Sequence, residues 1–138
     1  MSKVFLTRRE RFNAAHRMFQ EGWSDEKNEE VYGKCSNPNW HGHNYVIFVT
    51  VKGELDPQIG YVVNLKTLSK TIVEHIIDKI DHKNINVEVD FMKGLVPSSE
   101  NLAIAIWRQL DPHIKALGVE LHCIKIEETE NNFVEYYG

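Results

Sequence analysis

The sequence predicts an α+β domain in which two helices cover one face of a four-stranded antiparallel sheet, in the order strand, strand, helix, helix, strand, strand. Three observations lead there. Apolar residues recur with period two in the first and last parts of the chain. Between Asn64 and Leu110 they instead follow the i, i+3, i+4 spacing of helices. The last two period-two runs are separated only by Glu130-Asn131-Asn132, a turn too short for anything but an antiparallel pair.

The first strand runs from Lys3 to His16, with Val4, Leu6, Phe12, Ala14 and His16 on one parity. Arg8 and Glu10 interrupt that parity, which predicts a bulge or a change of environment there. From Arg17 to Asn39 the chain is charged and rich in Gly, Asn and Pro without a sustained period, so a long loop is expected, of the kind that is usually functional. Alternation resumes from His41 to Lys52. Tyr45, Ile47, Val49 and Val51 continue the parity of His41 and His43, while Val46 and Phe48 are apolar on the other face, so this strand is expected to be buried on both sides.

Asn64 can cap a helix whose stripe is Leu65, Leu68, Ile72, Val73, Ile76, Ile77 and Ile80, and which closes at Asp81-His82-Lys83-Asn84. A second helix starts at Pro97-Ser98-Ser99-Glu100 and carries Leu102, Ala103, Ile106, Trp107 and Leu110. Pro112 is expected to bend it and Gly118 to close it. Strands from Val119 to Thr129 and from Phe133 to Tyr137 complete the sheet. Because the strands are apolar on both parities, the face without helices should be covered by other copies of the chain, which predicts a homo-oligomer.

Composition sets limits on function. The 138 residues, 42% hydrophobic and 26% charged, describe a single globular domain, expected to span 1–138. A net charge of -4 gives no basic footprint for nucleic acid or an anionic membrane surface. No apolar run approaches the ~20 residues of a membrane span, and the polar start Met1-Ser2-Lys3 does not read as a signal, so a cytoplasmic location is expected. Cys35 and Cys123 are then expected to be free thiols.

The chemistry concentrates in Cys35-Ser36-Asn37-Pro38-Asn39-Trp40-His41-Gly42-His43. Residues i and i+2 of a strand share a face, so His41 and His43 can converge on one ion, and Gly42 lets the backbone pass close by. His16 at the end of the first strand would supply a third nitrogen, and three protein ligands with one open position is the usual form of zinc that does chemistry. Cys35 can be a fourth ligand that closes a structural site, or a thiol whose pKa falls beside a dication so that it acts as base or nucleophile. Asp81-His82 suits either a helix end or catalysis. Glu128 shares the parity of Ile124 and Ile126 and so points inward, where a heterocycle with two N–H donors would match its carboxylate. Ser98, Ser99 and Glu100 can cap their helix or face a ligand. Cys123 alternates with Leu121 and reads as a buried, inert thiol.

Together these segments resemble the 6-pyruvoyltetrahydropterin synthase family over nearly the whole chain. The resemblance rests on Phe12-Asn13-Ala14-Ala15-His16, Gly33-Lys34-Cys35 through Asn44-Tyr45, Val63-Asn64-Leu65, Asp81-His82, Ser98-Ser99-Glu100-Asn101, and Glu128-Thr129 before Asn131-Asn132. It implies the tunnelling fold, in which three sheets close a barrel and two trimers stack as a homohexamer. It also implies conversion of 7,8-dihydroneopterin triphosphate to 6-pyruvoyltetrahydropterin with loss of triphosphate and no external redox cofactor. His16, His41 and His43 would hold one zinc per subunit, Cys35 would abstract carbon-bound protons, and Asp81 and His82 of a neighbouring subunit would tune that thiol. Glu128 would anchor the pterin during catalysis, and Ser98, Ser99 and Glu100 would line its pocket; Mg2+ with the triphosphate is left open.

Three positions depart from the family pattern. Trp40 stands where a small residue is common, serines stand at 98 and 99 where threonines are frequent, and Glu127 beside Glu128 competes for the anchoring role. Two rival functions follow. One is the related 6-carboxytetrahydropterin synthase, disfavoured by the five residues between Cys35 and His41. The other is a non-catalytic zinc-stabilised binding module closed by Cys35.

Overall fold

The computed structural model describes residues 2–138. Strand β1 (Lys3–His16) pairs antiparallel with β2 (His41–Glu54) in one unbroken register, from Lys3 opposite Glu54 to His16 opposite His41. The chain then adds β4 (Glu120–Thr129) against β2, and β5 (Asn132–Tyr136) against β4. The four expected strands are present, and a fifth is added. The two-residue β3 (Lys83–Asn84) lies parallel to β1 at Ala14–Ala15, giving the order β3-β1-β2-β4-β5. It has no hydrophobic alternation to announce it. It forms because the residues just before it are tied to β1: the Asn13 amide donates to the Asp81 carboxylate, and the His82 amide donates to the Asn13 carbonyl.

One face of the sheet is covered by helices. The first helix begins as α2 (Leu65–Ile72), capped by the Asn64 carboxamide, which accepts from the Lys66 and Thr67 amides. It continues through a π turn (Val73–Ile77) into α3 (Asp78–Ile80) and ends where Asp81 becomes extended. The second, α5 (Ser99–Lys115), is capped by the Ser98 hydroxyl and runs through Pro112. Leu68, Ile72, Ile76 and Ile80 of the first and Leu102, Ile106, Leu110 and Ile114 of the second pack against Phe12, Tyr45, Ile47, Val49, Val51, Ile124 and Ile126. Gly53 is needed in this layer, since a Cβ there would lie 2.6 Å from Val62 and 2.9 Å from Val119. Two shorter pieces follow β3, α4 (Ile85–Glu88) and a 3-10 turn at Asp90–Met92. Among the described residues no helix is long and apolar enough to cross a membrane.

Several expectations are corrected. The segment from Arg17 to Asn39 is not all loop, because α1 (Asp25–Tyr32) forms in it behind a Ser24 cap with Asp25 and Glu26 in its first turn. Of the two readings of Arg8 and Glu10, the change of environment holds and the bulge does not: the register of β1 is unbroken there, and its inward residues pass from exposed or half-buried before Phe12 to buried from Phe12 on. Those charges tolerate the helix-covered face because Glu10 accepts from the Arg8 guanidinium at 2.8 Å and from the Ser69 hydroxyl of α2 at 2.7 Å. The irregularities fall in β4 instead, where His122 and Glu128 are each skipped by the register. The first of these puts Cys123 opposite Thr50 and Leu121 opposite Val51, on different faces, so the simple alternation of these two residues fails. Cys123 is nonetheless buried and free.

The sheet of a single chain is open. Val46 and Phe48 on its far face are only half-buried, so β2 is not covered on both sides within one chain. That face also carries exposed Phe5, Phe133 and Tyr137, and the cations of Arg9 and Lys125 lie over the Phe48 ring.

Candidate metal centre and active site

The β1–β2 ladder extends past the end of the β2–β4 ladder. Pairing with β4 stops at Val46 opposite Glu127, whereas pairing with β1 continues to His41. The face that is apolar core at Tyr45 and Phe12 therefore becomes, at His43, His41 and His16, the floor of an opening. The candidate ligand atoms of these three residues lie within 4.8 Å of one another, with ring centroids 4.5 to 5.0 Å apart.

Their hydrogen bonding fits a cation. Nε2 of His16, both ring nitrogens of His41 and Nε2 of His43 are buried with no hydrogen-bond partner, a costly state for polar atoms unless something occupies the space between them. The Nδ1–H of His16 donates to the Pro97 carbonyl at 2.8 Å, which leaves Nε2 as the lone pair facing the other two rings. Burial holds the imidazole of His16 below its usual titration range, and burial followed by the His43 charge does the same for His41. Neutral rings are the form that binds metal. The residues present can hold a metal ion.

A cavity of about 440 Å³ opens beside this cluster. Its walls include His16, Met18, Cys35, Ser98, Ser99, Glu100 and Glu128. Glu128 stands at the bulge of β4, where its Oε1 is 3.6 Å from His43 Nε2 and its Oε2 accepts from the Ser99 hydroxyl at 2.9 Å. Glu127 points to the other face, toward Lys125, so only Glu128 of the two acids reaches the cavity. Ser98 spends its hydroxyl on the Asn101 amide as the helix cap. Cys35 sits in a 3-10 turn (Gly33–Ser36), with its side chain exposed.

Asp81 and His82 do not line this cavity. They stand at the β3 edge of β1, where Asp81 Oδ2 pairs with His82 Nδ1 at 3.0 Å. The Asn13 amide, and then His82, hold the Asp81 carboxyl below its usual range. His82 has a φ of 61° and is largely exposed, so it is presented outward. Within one chain the structure thus gathers eight of the ten expected site residues with the cavity or the histidine cluster beside it: His16, Cys35, Ser98, Ser99, Glu100 and Glu128 on the walls, His43 against Glu128, and His41.

Residues not singled out from the sequence also contribute. Tyr45 is buried under the cluster with its hydroxyl 3.4 Å from His16 Nδ1, and its position two residues after His43 on the same parity is the signal that would have found it. The Pro97 carbonyl had no such signal, since it meets His16 across 81 residues of sequence. Trp40 has a φ of 67°, the left-handed region, which costs a residue with a Cβ about 1–2 kcal/mol and favours glycine. Its amide donates to the Asn37 carbonyl, which closes the turn leading into His41.

Comparison with known proteins adds a second line. The family profile described as 6-pyruvoyl tetrahydropterin synthase matches residues 5–138. A 6-pyruvoyl tetrahydrobiopterin synthase of Dictyostelium discoideum is 47% identical over 135 residues, covering 98% of this chain and 96% of that protein. The Homo sapiens protein of the same name is 44% identical over 133 residues, covering 96% and 90%. The solved structure of Caenorhabditis elegans 6-pyruvoyl tetrahydropterin synthase superposes with a TM-score of 0.93 at 40% identity, covering 100% of this chain and 97% of that one.

Proposed function

The chain belongs to the 6-pyruvoyl tetrahydropterin synthase family, and from that membership we propose that it converts 7,8-dihydroneopterin triphosphate to 6-pyruvoyltetrahydropterin and triphosphate in tetrahydrobiopterin biosynthesis. The observation that carries the reading is the set of buried, unpartnered imidazole nitrogens beside a cavity whose walls include the Cys35 thiol and the Glu128 carboxylate.

His16, His41 and His43 would hold zinc, the metal that suits three neutral imidazoles with an open position. When bound there, zinc supplies Lewis-acid charge that acidifies substrate hydroxyls and neighbouring C–H protons. The remaining work falls to side chains. Glu128, already oriented by Ser99, accepts adjacent N–H groups of the pterin ring and fixes which end of the substrate points at the histidines. Cys35, as thiolate, takes a proton from a side-chain carbon and returns one to the ring or side chain, so that hydrogens move without a redox cofactor. Ser98, Ser99 and Glu100 shape the same wall.

Asp81 and His82 complete the site from a neighbouring subunit in this proposal. Two features support that: their outward presentation away from the cavity, and the open sheet with exposed aromatic residues on its far face. Three copies closing a barrel, stacked as a hexamer, would satisfy both. The whole chain acts as one pterin synthase domain.

The test is incubation of purified protein with dihydroneopterin triphosphate and identification of the product by mass, with zinc content measured on the same sample. Release of triphosphate with a pyruvoyl pterin and one zinc per chain is expected. A carboxylated pterin would transfer the chain to the deazapurine branch of the family, and no turnover with zinc retained would favour a binding module.

A further inference from the structure

Resting on the reading of Cys35 as the base, we propose that Asn86 and Arg17 form a clamp that sets the position of the Cys35 thiol relative to the three histidines. Arg17 directly follows His16, so it is the first residue beyond the cluster on β1. Its backbone is held at both polar atoms by one side chain: the Arg17 amide donates to Asn86 Oδ1 at 2.9 Å, and Asn86 Nδ2 donates to the Arg17 carbonyl at 2.9 Å. Asn86 is itself fixed at the start of α4, where its amide donates to the Asn84 carboxamide.

From that anchored position, residues 17 and 18 grip the turn that carries the thiol. The Arg17 Nε–H donates to the Ser36 carbonyl at 2.8 Å, with the guanidinium lying 4.1 Å from the Phe19 ring. The Met18 amide donates to the Cys35 carbonyl at 2.8 Å. Inside the turn, the Ser36 hydroxyl donates to the Gly33 carbonyl, and Ser36 is buried. The exposed Cys35 side chain has its place set by this backbone. The carbonyls of residues 35 and 36 are thus received by the two residues next after His16, so the shortest route from the cluster to the thiol runs through the clamp and not around the intervening loop.

Arginine is required for this geometry. A planar guanidinium can donate along one direction while stacking on a ring, which a lysine ammonium cannot reproduce. Asn86 is similarly specific, because it must accept and donate at once. A displacement of the base of the order of 1 Å can cost about 100-fold in rate. The clamp therefore acts on kcat through Cys35, as a positioning device, without touching substrate.

The experiment uses full-length protein carrying Asn86→Ala, with Arg17→Lys as the second variant should the first fold poorly. Three quantities are read: kcat and KM, bound zinc, and hydrogen exchange of the Met18 amide. The expected result is a fall in kcat of about 10- to 100-fold with KM and zinc content within about twofold, together with faster exchange at Met18. The double variant should be little worse than the worse single one, because both changes open the same clamp. A kcat within about twofold of the parent would overturn the proposal, and so would loss of zinc in step with kcat, which would mark a general structural role. Cys35→Ala separates this from the reading beneath it. Full turnover by Cys35→Ala would remove the base assignment, whereas the Met18 exchange rate still reports whether Asn86 and Arg17 hold the turn.

Discussion

Replacing Glu128 by glutamine isolates the proposed pterin anchor. The change keeps size and shape but removes the charge and turns one acceptor into a donor. In the structure Oε2 accepts from Ser99 at 2.9 Å, and Oε1 faces the cavity 3.6 Å from His43 Nε2. A glutamine can keep its oxygen toward Ser99, which aims its NH2 at the cavity and at the N–H donors of the pterin, or it can flip and oppose Ser99 instead. Either way at least one charge-assisted hydrogen bond is lost, worth about 1.5–3 kcal/mol. At about 1.4 kcal/mol per factor of ten, kcat/KM should fall by roughly 10- to 150-fold. Because the anchor binds a part of the substrate that is not itself reacting, much of the loss should appear in KM. Steady-state kinetics with dihydroneopterin triphosphate would measure it, with zinc content as the control. An unchanged KM beside a collapsed kcat would refute the anchoring role and make Glu128 a participant in the proton transfers.

Two other predictions follow from the placement of titratable residues. Mixing subunits of Cys35→Ala with subunits of His82→Ala, each inactive alone, should restore activity if the two residues meet across an interface; with random assembly about a quarter of sites would be intact, and an inactive mixture would place both residues in one chain's site. On the helix layer, His75 of the π turn stacks on His113 of α5 with centroids 3.5 Å apart, and burial, then the His113 charge, lower its pKa from 6.5. The unfolded chain therefore takes up a proton that the folded one refuses, so this pair's contribution is present above about pH 6.5 and is lost as pH falls from there toward the folded value. His113→Phe keeps a ring in the stack and should raise the His75 pKa and lessen acid destabilisation, read by NMR titration and by denaturation at two pH values; an unmoved His75 titration would contradict the coupling.

What was legible in the sequence was what depends on near neighbours. His41 and His43 share a face because they are two apart, and the two main helices announce their caps at Asn64 and Ser98. Helix α1 escaped because it buries only Asn28, a polar residue whose side chain bonds to Gln20 and Trp23, so no apolar stripe marked it. The skip at His122 escaped because Cys123 and Ile124 are both apolar, so either register satisfied the pattern. The Asn86 to Arg17 contact spans 69 residues and joins one polar side chain to the backbone of a distant residue, for which no local rule exists.

The position of the candidate metal site follows from unequal ladder lengths. Along β2 the inward residues read Val51, Val49, Ile47, Tyr45, His43, His41, a single parity that changes from apolar to ligating without any change in backbone geometry. What changes is the company. β4 stops pairing at Glu127, opposite Val46, and the bulge there turns Glu128 toward His43. Inward residues before that point are sealed by helices and neighbouring strands, and those beyond it face open space on one side. An apolar residue at 41 or 43 would expose hydrocarbon to the cavity, and an unpaired imidazole there would be a buried polar orphan. A bound cation removes the second cost, so the histidines are stable where they stand only as a set. Loss of one ring should therefore weaken the other two, which makes metal affinity, more than the stability of the core beneath it, the quantity most sensitive to substitution at His16, His41 or His43.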